Sequence, residues 1–170
     1  MRQSNIRHLV AASLLAALVC AATIVIKIPL PSGGYINAGD CFVLLSGWLL
    51  GPFYGAAVAG AGSAIADLLS GYAAFAPITL IIKALCALIA AFCHRSESRF
   101  FSLIGGGILA EAEMIIGYFV FSVLLTGNSG TAVISLAGDG IQGAAGILLA
   151  AVLYRIIERR HLCGEFFSER

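Results

Sequence analysis

The sequence predicts an all-α fold: an integral membrane bundle of six transmembrane helices with both termini cytoplasmic. Three observations carry this expectation. The 170 residues have a mean hydropathy of +0.99, and only 11% are charged. A soluble domain carries more charge than that. Apolar runs succeed one another with little between them. The basic residues collect on alternate connections.

The first run spans residues 9–26 and follows Arg2 and Arg7. A basic start before an apolar run also fits a secretory leader, and LVCAA resembles a lipoprotein cleavage site. Val19 is too large for the position before such a cysteine, and further runs follow at once. A retained first helix is therefore expected. The second and third runs, 38–50 and 53–69, are divided by Gly51-Pro52, because proline cannot continue a helical ladder. A hairpin there gives six spans, and a kinked continuous helix gives five. The fourth run is 77–92, the fifth 101–125 and the sixth 132–157, all within a single domain covering 1–170. A crossing takes about 20 residues. The second and fourth runs are short, so they extend into polar residues or are sheltered by neighbours.

Charge chooses between six spans and five. With six, one face holds Arg2, Arg7, Arg95, Arg99, Arg155, Arg159, Arg160 and Arg170, and Lys27 alone sits at the other. Lys83 lies within the membrane. Such asymmetry fits the positive-inside rule; five spans scatter it. The outer face then carries the loops 29–35, 70–76 and 126–131, rich in Gly, Ser, Pro and aromatics. The net charge of +1 offers no surface for nucleic acid.

Helical rise then sets depth. Lys83 falls roughly 9 Å below the outer start of the fourth helix. Asp67 is near the outer end of the third, Asp139 and Gln142 in the outer part of the sixth, and Asn37 and Asp40 at the outer start of the second. Each intramembrane charge costs about 2.5–3.5 kcal/mol, so such groups face one another or a wet cavity. The expectation is an outer polar pocket under aromatic, glycine-rich loops. Alternatives stand beside it. Asp67 and Lys83 also fit a structural ion pair, Asn37 and Asp40 helix capping, and Tyr35 and Tyr72 an interfacial aromatic belt. Glu111 and Glu113 lie deeper and point in nearly opposite directions, so only one of them reaches a pocket floor.

Small residues recur every four positions in the third helix, at Gly51, Gly55, Ala59, Ser63 and Asp67, with Ala56, Gly60 and Ala64 alongside. Such ridges bring helices close together. Ala12 and Ala16 form a similar pair on the first helix. Their pattern alone favours packing within the chain. GDGIQG, at 138–143, matches a dinucleotide fingerprint but lies inside a membrane helix with no strand before it, so it reads as packing glycine. His8, His94 and His161 fall at the inner ends. Cys20, Cys41, Cys86, Cys93 and Cys163 form no paired motif. No cofactor, metal cluster or partnered nucleophile is expected, and an enzyme is disfavoured.

GYINAGD, LLGPFYGAAVAGAGSAIADLLSGY and APITLIIKA together resemble the substrate-binding S components of energy-coupling factor (ECF) vitamin transporters. The likeness runs from about Ala11 to Ile157, is strongest from Gly34 to Ala84, and is closest to riboflavin-, hydroxymethylpyrimidine- and pyridoxine-type members. It implies a subunit of an ABC-type importer in a prokaryotic plasma membrane, with an outward vitamin site built from helices four to six and the outer loops. The implied partners are a transmembrane coupling subunit and two cytoplasmic ATPases. Ala12 and Ala16 match the family's docking motif for the coupling subunit. The implied cycle topples the loaded subunit within the bilayer so that its pocket opens inward.

The candidate substrate-binding set is Asn37, Asp40, Asp67, Tyr72, Lys83, Glu113, Tyr118, Asp139 and Gln142. Lys83, Asp139 and Gln142 are expected to hydrogen-bond a heterocycle, with Tyr72, Tyr118 and Tyr35 packing on its ring. Lys83→Ala is expected to weaken binding and leave the fold intact. A self-sufficient proton-coupled carrier using Asp67, Glu111, Glu113 and Asp139 is the competing expectation.

Overall fold

The structure, a computed structural model, describes residues 2–94 and 100–159. Arg95, Arg99, Arg160, Arg170, His161 and Cys163 lie outside the described residues. Among those described there are six helices: α1 (Arg2–Val25), α2 (Asp40–Leu50), α3 (Pro52–Leu69), α4 (Ala76–His94), α5 (Phe100–Thr126) and α6 (Ser129–Arg159). The expected segments 38–50, 53–69, 77–92, 101–125 and 132–157 each match a helix to within three residues, whereas α1 starts well before residue 9. The connection expected at 29–35 holds a two-stranded antiparallel ribbon, β1 (Lys27–Pro29) and β2 (Tyr35–Asn37).

The chain forms this bundle because its apolar residues lie on both the inside and the outside. Leu14, Ile65, Ile81, Ile116, Ile134 and Leu148 point outward on five helices, while Asp40, Asp67, Lys83 and Glu111 are buried. A water-soluble protein shows the reverse, and an apolar girdle of this extent marks a membrane surface. Four helices are long and apolar enough to cross, from Ile6–Val25 to Ser129–Arg159. The 11 residues of α2 extend only about 16 Å. Every residue of α2 except Phe42 is buried. The helix packs against α1, α3, α4 and α6, so protein shelters its ends from lipid.

Gly51 makes the α2–α3 hairpin. Its φ of +78° is open to glycine at little cost, and Pro52 then opens α3 at a position where no amide donor is needed. Ser46 Oγ donates to Val43 O at 2.7 Å and to Gly55 O at 3.1 Å, which ties the two helices together. Further up α3 the glycines mark close approaches. A Cβ on Gly60 lies 2.6 Å from Leu80 O of α4, and one on Gly62 lies 2.8 Å from Ala16 O of α1. Nothing larger than hydrogen fits at these crossings.

That second crossing shows what surrounds Ala12 and Ala16 within the chain. Ala12 is buried in the core, and the Ala16 backbone lies against α3. This turn of α1 therefore meets α3 at a seam where packing favours small residues.

Candidate functional site

The ends of several elements enclose a cavity that opens through a mouth. It lies at the end of the bundle away from the start of α1 and the end of α6. Thr23 comes from the last turns of α1, Leu30, Ser32, Gly34, Tyr35 and Asn37 from the ribbon and its turn, and Ser63 and Asp67 from α3. Phe75 and Thr79, from the start of α4 and just before it, sit above Lys83 of the same helix, facing Tyr118 and Ser122 of α5 and Asp139 and Gln142 of α6.

The roof is aromatic. The rings of Tyr35 and Tyr72 have centroids 4.5 Å apart, and Phe75 meets Phe121 edge-on at 5.1 Å. The Tyr35 hydroxyl donates to Asp67 Oδ1, which fastens β2 to the top of α3. Burial first, and then the Asp67 carboxylate, raise the Tyr35 pKa above its ordinary value, so the phenol keeps its proton. The ribbon is also held from α6. Ser32 N donates to Ser135 Oγ at 3.2 Å. A Cβ on Gly138, inside the GDGIQG segment, lies 2.7 Å from Leu30. This glycine lets the ribbon seat closely on α6.

Beneath the cavity the buried Lys83 is paired, though with Asp40 and not with Asp67. Lys83 Nζ donates to Asp40 Oδ1 of α2. Gln142 Nε2 donates to Asp40 Oδ2 at 2.6 Å, and Gln142 Oε1 accepts from Asn37 N at 2.6 Å. Asn37 Oδ1 in turn accepts from Gly39 N at 2.8 Å. The network links α2, α4, α6 and the ribbon. Lys83 Nζ is also 5.5 Å from the Tyr118 ring centroid, within cation–π range. Tyr118 Oη donates to Thr79 Oγ1 at 3.1 Å.

Asn37, Asp67, Lys83, Tyr118, Asp139 and Gln142 line the cavity. The other three expected residues do not. Asp40 lies behind the wall as counter-ion to Lys83 and makes no side-chain cap on α2. Tyr72 packs at a tilt against Tyr35 in the roof. Glu113 lies off the cavity on α5, as does Glu111, which packs against Gly143 with Oε1 4.0 Å from Cys86 Sγ. Residue-type reasoning passed over Thr23, Ser32, Ser63, Phe75, Thr79 and Ser122. Hydroxyls are common in membrane helices, but Ser63 stands one turn before Asp67 and Thr79 one turn before Lys83, a spacing that puts each on the same face as a charge.

A cavity lined by polar groups inside an apolar shell, closed by a strapped ribbon and without a partnered nucleophile among its walls, defines a membrane solute-binding protein. The model of the ECF-type riboflavin transporter S component family matches residues 3–159. The chain belongs to that family of transporter substrate-binding components, which is not a class of enzymes. It is 33% identical over 143 residues to an uncharacterized protein in the gap 3′ region of Pyrococcus woesei, covering 84% of this chain and 95% of that one. Its fold matches the solved S component of a bacterial ECF transporter, with a TM-score of 0.67 at 21% identity over 97% of this chain and 99% of that one.

Proposed function

We propose that the chain captures a small water-soluble vitamin with a flat heteroaromatic ring, riboflavin foremost, at the outer face of a prokaryotic plasma membrane. The observation that carries this reading is the cavity's two-sided lining. Tyr35, Phe75 and Tyr118 supply ring faces, while Asn37, Asp67, Asp139 and the hydroxyl residues supply hydrogen-bonding groups. Small-molecule sites combine apolar and polar groups in this way, and the family's description names riboflavin.

All six helices act as spans in this reading, α2 by courtesy of its neighbours. Arg7, Arg155 and Arg159 lie at the end opposite the cavity and face the cytoplasm, which leaves the cavity facing outward. The chain carries no phosphate-binding loop of its own. A transmembrane coupling subunit and two cytoplasmic ATPases supply the work, and toppling of the loaded bundle delivers the ligand inward.

Uptake into vesicles containing only this chain tests the reading. Saturable riboflavin binding without accumulation is expected. Accumulation driven by a pH gradient without ATP overturns it and makes the chain a self-sufficient carrier.

A further inference from the structure

We propose that the α1–α3 wall of the cavity is a separate subsite for a hydroxylated, unphosphorylated arm of the ligand, held by Thr23, Ser63 and Asp67. The proposal rests on the flavin-type reading above and assigns one part of that ligand to one wall.

These three residues differ from the engaged side chains of the lining. Thr23 Oγ1, Ser63 Oγ and Asp67 Oδ2 have no hydrogen-bond partner within the protein. Their residues are only 3%, 2% and 3% exposed. The Thr79 hydroxyl is close to Asp67 but does not meet Oδ2 in hydrogen-bond geometry. By contrast, Lys83, Gln142, Asn37, Tyr118 and Tyr35 all engage protein partners. A buried polar atom left unpaired is costly, so three on one cavity wall point to a ligand that pairs them.

Helix geometry puts the three together. Ser63 and Asp67 are one turn apart on one face of α3. Gly62 meets Val19 of α1, and Thr23 is one turn beyond Val19. Two hydroxyls and a carboxylate offer acceptors together with donors that rotate to suit, which matches a run of ligand hydroxyls. The edge of a planar ring presents too few donors for all three. A phosphate fits poorly as well, because Asp67 repels it and Lys83, the cation of the lining, is already bound to Asp40.

The test compares riboflavin with lumiflavin, the same ring system bearing a methyl group in place of the hydroxylated chain. Binding is followed by flavin fluorescence in detergent for the wild type, Thr23→Val, Ser63→Ala and Thr23→Ser. The first two variants are expected to weaken riboflavin binding roughly fivefold each, the worth of one neutral hydrogen bond, and to leave lumiflavin unchanged. Thr23→Ser keeps the hydroxyl and restores the affinity. The ligand-free melting temperature is not lowered, because the oxygen removed has no protein partner. Equal weakening of both flavins, or unchanged riboflavin affinity, overturns the subsite while the flavin reading stands. Tighter binding of riboflavin 5′-phosphate than of riboflavin overturns it too. A wild type that binds neither flavin overturns the flavin reading, and the subsite with it, before any variant is made.

Discussion

The Lys83 ammonium on α4 donates to the Asp40 carboxylate on α2, with the two side chains only 2% and 1% exposed. Gln142 from α6 holds the carboxylate's second oxygen. Both charges are therefore answered within protein, and the pair joins three helices directly below the cavity.

Breaking this pair from one side destabilises the bundle. Asp40→Ala or Lys83→Ala leaves a buried charge uncompensated, at a cost of about 3–5 kcal/mol. This revises the expectation that Lys83→Ala spares the fold. Replacing both residues, Asp40→Leu with Lys83→Met, recovers most of the loss. Melting of the wild type, Asp40→Leu, Lys83→Met and the double variant in detergent closes the cycle. A single variant that melts like the wild type contradicts the pairing.

Tyr35 straps the ribbon over the cavity through Asp67. A hydrogen bond to a charged group contributes about 1.5–3 kcal/mol. Tyr35→Phe is accordingly expected to speed ligand release about tenfold, read by stopped-flow flavin fluorescence. The raised pKa of Tyr35 sets the sign of the pH dependence. The proton stays on in the folded state, so the strap is present below the ordinary tyrosine pKa and fails only as pH rises through the elevated value. Release rates therefore do not increase as pH is raised from about 7 to 9. Release that accelerates across that range assigns the strap to another group.

Gly60 sits where α3 crosses α4, and a methyl group added there lies only 2.6 Å from the Leu80 carbonyl and 3.2 Å from Ala84. Gly60→Val is expected to cost about 1–3 kcal/mol through overpacking. Gly105→Ala on α5 meets nothing within 4 Å and is the control. Equal melting temperatures for the two variants contradict the close crossing.

The cavity carries Asp67 and Asp139, and its cation Lys83 is already engaged. Riboflavin 5′-phosphate is expected to bind at least about tenfold more weakly than riboflavin, since unlike partners are rejected by unpaired like charge. Competition titration reads the ratio directly.

Most of the helical plan was legible in the sequence because a bilayer imposes length and hydropathy on every span. Gly51-Pro52 declared the hairpin, and the four-residue spacing of Gly55, Ala59, Ser63 and Asp67 declared the buried face of α3. The site was legible in depth but not in pairing. Asp67 and Lys83 belong to successive helices, which invited a bond between them, whereas Asp40 belongs to a helix that α4 meets only through the tertiary fold. Tyr35 and Tyr72 carry no sign of packing on each other until the ribbon folds back. Ala12 and Ala16 show why a small-residue pair does not reveal its partner: the same spacing serves α3 as well as another subunit.

The central claim is that this cavity holds the ligand, and filling it tests that claim most directly. Ser122 lines the cavity from α5 and is buried, and Ser122→Trp places an indole in the space. Riboflavin titrated into the purified chain is expected to saturate at one flavin per chain for the wild type. For the filled variant binding is lost while the melting transition survives. Saturable binding that is indifferent to the filled cavity, in a variant that still melts cooperatively, contradicts the account.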